Sequence, residues 1–367
     1  MPEQDFMPIQ NFDYLNFYVG DAMQAAYYFT NAWGFTPIAY AGLETGLRDR
    51  SSFVLEQGNV RFVLTSSLNP EGEIADHVKL HGDGVKDVAF RVEDAERAYR
   101  EATSRGARSI MEPIVRKDDY GKVKLAAIAT YGETIHTFVE RQDYRGAFLP
   151  GYRPISTNVP RRARPAGIAG IDHVVGNVEL GKMNEWVAFY ERVMGFSQII
   201  HFDDKAISTE YSALMSKVMQ NGSGRIKLPI NEPAPGRKKS QIEEYLDFYR
   251  TPGVQHVALI TADIIATVRN LEERGVAFLK TPAAYYEDVL DRVGHIDEDI
   301  KQLAELGILI DHDEDGYLLQ IFSKPIVSRP TMFFEVIERK GARSFGEGNF
   351  KALFEAIERE QALRGNL

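Results

Sequence analysis

One module is written twice in this chain, and that repeat restricts the possible folds more than any other feature. The segment G-V-K-D-V-A-F-R-V from Gly84 returns as G-V-Q-H-V-A-L-I-T from Gly253. A helical stretch follows each and ends in Arg-Gly, at Arg105-Gly106 and Arg274-Gly275. Both landmarks move by 169 residues (84 to 253, 106 to 275), so the match runs without a gap. A second pair, Phe12-Asp13-Tyr14 through Trp33-Gly34-Phe35 against Ile171-Asp172-His173 through Met194-Gly195-Phe196, needs a two-residue gap. A third pair closes each half, T-F-V-E-R at 137–141 and E-V-I-E-R at 335–339. The three pairs keep their order, the signature of a duplicated module.

Each half reads as strand, helix, strands, and then the same again, an α+β pattern. After the Gly253 strand, Ile264, Val268 and Leu271 fall at steps of four and three on one helical face. The Pro- and Arg-rich stretch near 150–166 has no apolar period and predicts a linker. The modules are therefore expected at 1–155 and 160–367. Near the C-terminus, Phe350, Leu353, Phe354 and Ile357 share helical spacing, with Glu355, Glu358 and Glu360 mostly turned away. They predict an amphipathic helix laid on the core.

Composition narrows the chemistry. A chain of 367 residues suggests about two to three domains at roughly 150 residues each. At 44% hydrophobic and 26% charged it is a folded protein rather than a disordered one. The 43 Lys and Arg against 53 Asp and Glu leave a charge of −10, with only short basic groups, which argues against a nucleic-acid partner. No apolar stretch is long enough to span a membrane. The start MPEQDFMPIQ has no secretory pattern, so a cytoplasmic protein is expected. With no cysteine, disulfides, thiolate nucleophiles and Cys-type metal sites are excluded, and any metal must rest on imidazole and carboxylate.

Aligned copies should share their core residues, so polar groups present in one copy alone point to chemistry. His173 aligns with Tyr14, His256 with Asp87, and Glu335 with Thr137. A lone strand histidine is usually an ordinary hydrogen-bonded residue. Glu335 resists that reading, because it lies between Met332-Phe333-Phe334 and Val336-Ile337, and an unpartnered buried carboxylate costs several kcal/mol at least, on the order of what a bound cation would remove. Strand alternation allows all three side chains to face one interior. Two imidazoles and one carboxylate form the triad of non-heme Fe(II) oxygenases, with open positions for substrate and O2. Iron(II) is the first choice, although spacing alone does not separate it from Zn, Mn or Co. The other histidines, at 77, 81, 136, 201, 295 and 312, are expected to be surface or structural, and Glu140 and Glu338, present in both copies, to belong to the fold.

Several segments carry a resemblance: G-I-D-H-V-V-G-N-V at 170–178, P-I-N-E-P at 229–233, K-S-Q-I at 239–242, G-V-Q-H-V-A-L at 253–259, G-Y-L-L-Q-I-F at 316–322, F-F-E-V-I-E-R at 333–339 and G-E-G-N-F at 346–350. Together they resemble the 4-hydroxyphenylpyruvate dioxygenase family over nearly the whole chain, most strongly from 167 onward. The resemblance implies two tandem vicinal oxygen chelate domains of paired βαβββ units, with the metal site only in the C-terminal one. It implies conversion of 4-hydroxyphenylpyruvate and O2 to homogentisate and CO2 in tyrosine and phenylalanine catabolism, by a homo-oligomer. The family's iron ligands fall on His173, His256 and Glu335. Its pocket residues fall on Gln255, Gln320, Phe322 and Phe350, with a catalytic part, and on Ser212, Asn231, Gln241, Phe345 and Asn349, which bind substrate. Phe322 and Phe350 suit an aromatic ring held in offset geometry, and neutral amides suit a phenol or carboxylate beside a metal. The terminal helix is expected to act as a lid.

The nearest alternative, 4-hydroxymandelate synthase, resembles this family but hydroxylates the benzylic carbon; retention of Pro229, Asn231 and Phe322 favours the dioxygenase. An extradiol ring-cleaving dioxygenase is distinguished by needing no 2-oxo acid, and a non-catalytic binding protein of the same fold by needing no metal ligands.

Overall fold

The computed structural model describes residues 5–155, 164–202, 213–287 and 289–365, the side chains of residues 350 and 351 excepted. The first unit comprises β1 (Ile9–Tyr18), α1 (Ala22–Asn31), β2 (Thr36–Ala41), β3 (Arg50–Gln57) and β4 (Val60–Ser67). Helix α2 (Glu73–His81) leads to a second unit, β5 (Gly84–Val92), α3 (Ala95–Ser104), β6 (Ser109–Asp118), β7 (Gly121–Ala129) and β8 (Ile135–Glu140). The short β9 (Arg153–Pro154) follows. The back half repeats the plan: β10 (Ile168–Asn177), α4 (Met183–Met194), β11 (Ser197–Phe202), β12 (Ala213–Gln220) and β13 (Lys227–Ala234), then the joining helix α5 (Gln241–Tyr249). Its second unit is β14 (Gly253–Thr261), α6 (Ile264–Glu273), the inserted α7 (Val289–Val293) and α8 (Ile300–Leu306), then β15 (Leu309–Asp313), β16 (Gly316–Phe322) and β17 (Phe333–Lys340). Helix α9 (Phe350–Leu363) ends the described chain.

All four units share one wiring. The first strand of each lies parallel to its last, in the pairs β1–β4, β5–β8, β10–β13 and β14–β17. Two units join through their antiparallel first strands, β1 with β5 and β10 with β14. The sheet orders are β6-β7-β8-β5-β1-β4-β3-β2-β9 and β11-β12-β13-β10-β14-β17-β16-β15. The two-residue gap in the repeat falls between strand and helix, where residues 19–21 join β1 to α1 and the longer 178–182 joins β10 to α4. Glu140 and Glu338 hold the same post in each half. Each accepts the first backbone N–H of a helix, from Ala95 at 3.2 Å and Ile264 at 2.8 Å, where the helix dipole favours a carboxylate.

Two expectations need correction. The supposed linker begins as structure: β9 pairs with β2, and the N–H of Ile155 donates to the carbonyl of Ile38 at 2.9 Å. An edge strand needs backbone hydrogen bonds rather than an apolar period, so the pattern was silent there. Residues 156–163 of that stretch lie outside the described residues. On α9, Leu353, Phe354 and Ile357 are buried as expected, but Glu358 is buried too.

The modules do not keep separate interiors, because one apolar cluster runs through both. Phe334 of β17 packs its ring 4.7 Å from Trp33 and 5.7 Å from Phe62 of the front half. A polar pin accompanies it. His136 of β8 donates from Nδ1 to the Val88 carbonyl (3.0 Å) and accepts at Nε2 from the Tyr190 hydroxyl of α4 (2.8 Å).

Burial lowers the pKa of His136 to about 4, opposed by the bond to the Val88 carbonyl. A buried neutral histidine contributes stability above its unfolded pKa near 6.5, and that contribution is lost as pH falls towards about 4. His136→Gln is therefore expected to destabilise at pH 7 by about 1–3 kcal/mol. In urea denaturation, its deficit against the parent should shrink between pH 6.5 and 4; a deficit that widens there would contradict the assignment.

Candidate metal centre

Three adjacent strands of the back sheet each supply one side chain to a common point: His173 from β10, His256 from β14 and Glu335 from β17. His173 lies opposite Ala258, and Ala258 lies opposite Glu335. His256, two residues before Ala258, shares its face. The three therefore converge over the small Ala258 side chain, which leaves them room to meet. Their donor atoms all lie within 4.8 Å of one another. His173 Nε2 is 3.2 Å and His256 Nε2 is 3.6 Å from the same Glu335 Oε2. All three residues are buried.

Each imidazole is oriented from behind. His173 Nδ1 donates to Asp172 Oδ1 at 2.7 Å, and His256 Nδ1 to Gln255 Oε1 at 3.0 Å. In the neutral tautomer each Nε2 then carries a lone pair facing the carboxylate, an arrangement that repels unless a proton or cation stands between. Burial works against the Glu335 charge, yet the two imidazoles hold its pKa below the usual carboxylate value. Burial likewise opposes protonation of His173, but Glu335 and Asp172 raise its pKa on balance. At His256 burial prevails and the pKa falls. A ready carboxylate and oriented imidazoles, all out of water, are a donor set that suits a divalent ion of the Fe(II) or Zn(II) kind.

Asp172 reaches His173, its chain neighbour, because a bulge interrupts the β10–β14 register between Ile171 and His173. Arg339 grips the carboxylate through Nε (2.7 Å) and Nη2 (2.8 Å). Burial opposes that charge, but Arg339 and His173 hold the Asp172 pKa far below the carboxylate range. The front half has the same pair, Arg141 Nη2 donating to Asp13 Oδ1 at 2.6 Å, with no histidine beside it. Sequence comparison of the copies passed over Asp172 and Arg339 because it looked for differences. Their recurrence as Asp13 and Arg141 was the signal that could have found them.

At the positions of the triad, the front half has a closed cluster. Asp87 accepts from the Thr137 hydroxyl (2.6 Å), the Thr137 N–H (3.0 Å) and the Tyr14 hydroxyl (3.2 Å). Burial still raises the Asp87 pKa to about 7, against those hydrogen bonds. Three donors converge on one carboxylate there, so the centre presents hydrogens where the triad presents facing lone pairs.

The triad forms one wall of a cavity that β12, β13, β16, α5 and α9 complete. Of the expected pocket residues, Asn231, Gln241, Gln255, Phe322 and Phe345 line it. Gln320 and Asn349 do not line it directly. Gln320 is two residues from Phe322 on β16, and its buried amide has no partner at either end. Asn349 precedes α9 and accepts the Tyr285 hydroxyl. Ser212 lies outside the described residues, as does the side chain of Phe350, whose backbone opens α9. Further wall residues were not foreseen: Ser216, opposite Asn231 on β12, Phe333, stacked on His256 at 4.8 Å, and Leu353 and Phe354 of α9. Alternation of Leu214, Ser216 and Val218 along β12 would have revealed Ser216.

A family described as the hydroxyphenylpyruvate dioxygenase N-terminal domain matches residues 4–149, and the glyoxalase/bleomycin resistance protein/dioxygenase superfamily matches residues 170–321. The 4-hydroxyphenylpyruvate dioxygenases of Aspergillus fumigatus and Yarrowia lipolytica are each 49% identical over 98% of this chain and 94% of their own. That of Dictyostelium discoideum is 48% identical over 98% of this chain and 100% of its own. Among solved structures, a mutant 4-hydroxymandelate synthase from Streptomyces coelicolor is similar with a TM-score of 0.86 and 35% identity, covering 97% of this chain and all of that one. Among the described residues no helix is long and apolar enough to cross a membrane.

Replacing Arg339 with Met would leave the buried Asp172 charge unpaired, with an expected loss of about 3–5 kcal/mol in chemical denaturation. Arg141→Met should cost less, because Arg91 at 3.2 Å and Arg61 at 3.7 Å remain beside Asp13. A loss below about 1 kcal/mol in Arg339→Met would show that its pair is not what holds the Asp172 carboxylate in place.

Proposed function

The chain belongs to the 4-hydroxyphenylpyruvate dioxygenase family, and from that premise we propose that it converts 4-hydroxyphenylpyruvate and O2 to homogentisate and CO2 in tyrosine and phenylalanine breakdown. The observation that carries this reading is the convergence of His173, His256 and Glu335, buried at the wall of an aromatic-lined cavity. These three would hold Fe(II). When bound, that ion supplies a place for the substrate's 2-oxo acid and for activation of O2.

The protein's own residues do the remaining work. Phe322, Phe333 and Phe345 present ring faces and edges around the triad, a setting suited to an aromatic substrate. The neutral amides of Asn231, Gln241 and Gln255 on the wall can orient a phenol or carboxylate without adding charge beside the triad. Gln255 also fixes the tautomer of His256, so one residue faces both substrate and ligand. Leu353 and Phe354 cap the cavity from α9, which keeps bulk water from the reacting atoms. Helix α9 is tied down from its outer side, where Arg364 Nη2 bonds Glu244 of α5 at 2.7 Å and Lys324 bonds Glu360 at 2.8 Å.

The decisive experiment loads the protein with Fe(II) without oxygen, adds 4-hydroxyphenylpyruvate and then O2, and measures O2 uptake, CO2 and product. Homogentisate is the expected product. Recovery of 4-hydroxymandelate would transfer the chain to the related synthase reaction, and no O2 uptake with iron retained would overturn both. Glu335→Gln should weaken iron binding by more than about tenfold, read as iron per chain after gel filtration. In Leu353→Ala/Phe354→Ala, homogentisate formed per O2 consumed should fall; an unchanged ratio would remove α9 from the role of water barrier.

A further inference from the structure

Two groups of histidine and carboxylate converge among the described residues, and the second lies outside the cavity. His77 and His81 stand four residues apart on α2, so their side chains share one face, the spacing by which a helix presents two imidazoles to one ion. Glu133 comes to meet them from the turn between β7 and β8. Gly132 holds that turn with φ +58, and a Cβ there would stand 2.1 Å from the carbonyl oxygen of Pro252, so only glycine lets the turn press against the back module.

The distances resemble those of the triad, although His77 turns Nδ1 rather than Nε2 to the carboxylate and hydrogen-bonds it. His77 Nδ1 is 3.1 Å and His81 Nε2 is 3.2 Å from the same Glu133 Oε2. Ligands at about 2.0–2.2 Å from a tetrahedral zinc-like ion stand roughly 3.3–3.6 Å apart around it, so a small outward shift of Glu133 would complete the fit. His81 Nδ1 faces the carbonyl oxygen of Tyr249, at the end of α5, and donates to it. That bond leaves the neutral His81 with its lone pair on Nε2, directed at a carboxylate oxygen that also carries lone pairs. His81 is fully buried, and its Nε2 has no partner of hydrogen-bond geometry. Backing of a ligand imidazole by a main-chain carbonyl is one of the usual supports in metal sites. Of the nearby cations, Lys86 is engaged by Glu73 at 3.2 Å, and Arg329 donates to the carbonyls of Lys79 and Leu80. The Glu133 side chain is 43% exposed, which gives an ion a way in and leaves room for water as a further ligand.

We propose that His77, His81 and Glu133 form a second divalent-cation site, of the zinc type, at the junction of the two modules. Two imidazoles and a carboxylate select a borderline ion over Ca2+ or Mg2+, which take oxygen ligands. Such an ion ties α2 and the β7–β8 turn together and, through His81, fixes them to the Tyr249 end of α5. Four residues beyond Tyr249 begins β14, the strand that carries Gln255 and His256.

The test is a metal count on the full chain. The parent, Glu133→Gln and His81→Gln are stripped with chelator, titrated with Zn2+, freed of excess ion and assayed for zinc per chain; the titration is repeated with Co2+ to record its visible absorption. Each variant is expected to hold one equivalent less than the parent and to lose one set of Co2+ bands. His256→Ala serves as the comparison, losing its equivalent from the other site and keeping this one. Equal counts in the parent and Glu133→Gln would overturn the proposal. Glu133 sits on an exposed turn, so this variant carries the test even where His81→Gln fails to fold.

Discussion

Strand β17 has to serve two environments that differ by one residue. Phe334 points into the apolar junction against Trp33 and Phe62, while Glu335 points the other way into the cavity. The alternation of a β-strand makes this possible, and a one-residue slip would put the carboxylate into the junction and the ring into the site. The parallel pairing of β14 with β17 holds the register, from His256 opposite Phe333 to Ile260 opposite Ile337. The junction that joins the modules and the site that gives the chain its chemistry are thus two faces of the same strand.

The two halves show what duplication preserved and what it released. The bulged aspartate and its arginine are in both, as Asp13 with Arg141 and Asp172 with Arg339, so this buried pair belongs to the architecture. Their neighbours diverged. Tyr14, Asp87 and Thr137 close on themselves, with three donors around one carboxylate. His173, His256 and Glu335 leave acceptor atoms facing one another. The same backbone therefore gives a self-satisfied polar cluster in one half and an ion-binding donor set in the other. The difference is how many protons the side chains bring to the centre.

Asp172 shows how the fold also shapes the electrostatics of the site. Because Arg339 neutralises it, Asp172 can orient His173 without adding net charge to the triad. In the second cluster, at His77, His81 and Glu133, a main-chain carbonyl takes the aspartate's place behind His81. Both imidazole pairs lie close to β14, one through His256 on the strand itself and the other against the turn that leads into it.

Much of this was written in the sequence. Gapless repetition reports a duplicated fold because the same core positions must recur wherever the same strands pair. Glu335 announced itself by its apolar neighbours, since a carboxylate in such a run must find a partner. The histidines became legible by their absence from the front copy. Other features have no one-dimensional trace. Asp172 and Arg339 have counterparts in both copies, and only the bulge in β10 brings the carboxylate onto His173. Gln320 and Asn349 matched a pattern, yet their distance from the cavity wall depends on how β16 and α9 pack. His77, His81 and Glu133 lie 52 residues apart or more between helix and turn (81 to 133), and the docking of Gly132 on the back module is what closes that distance. Local spacing determines which face a side chain takes; contacts between modules are decided only when the two sheets share one interior.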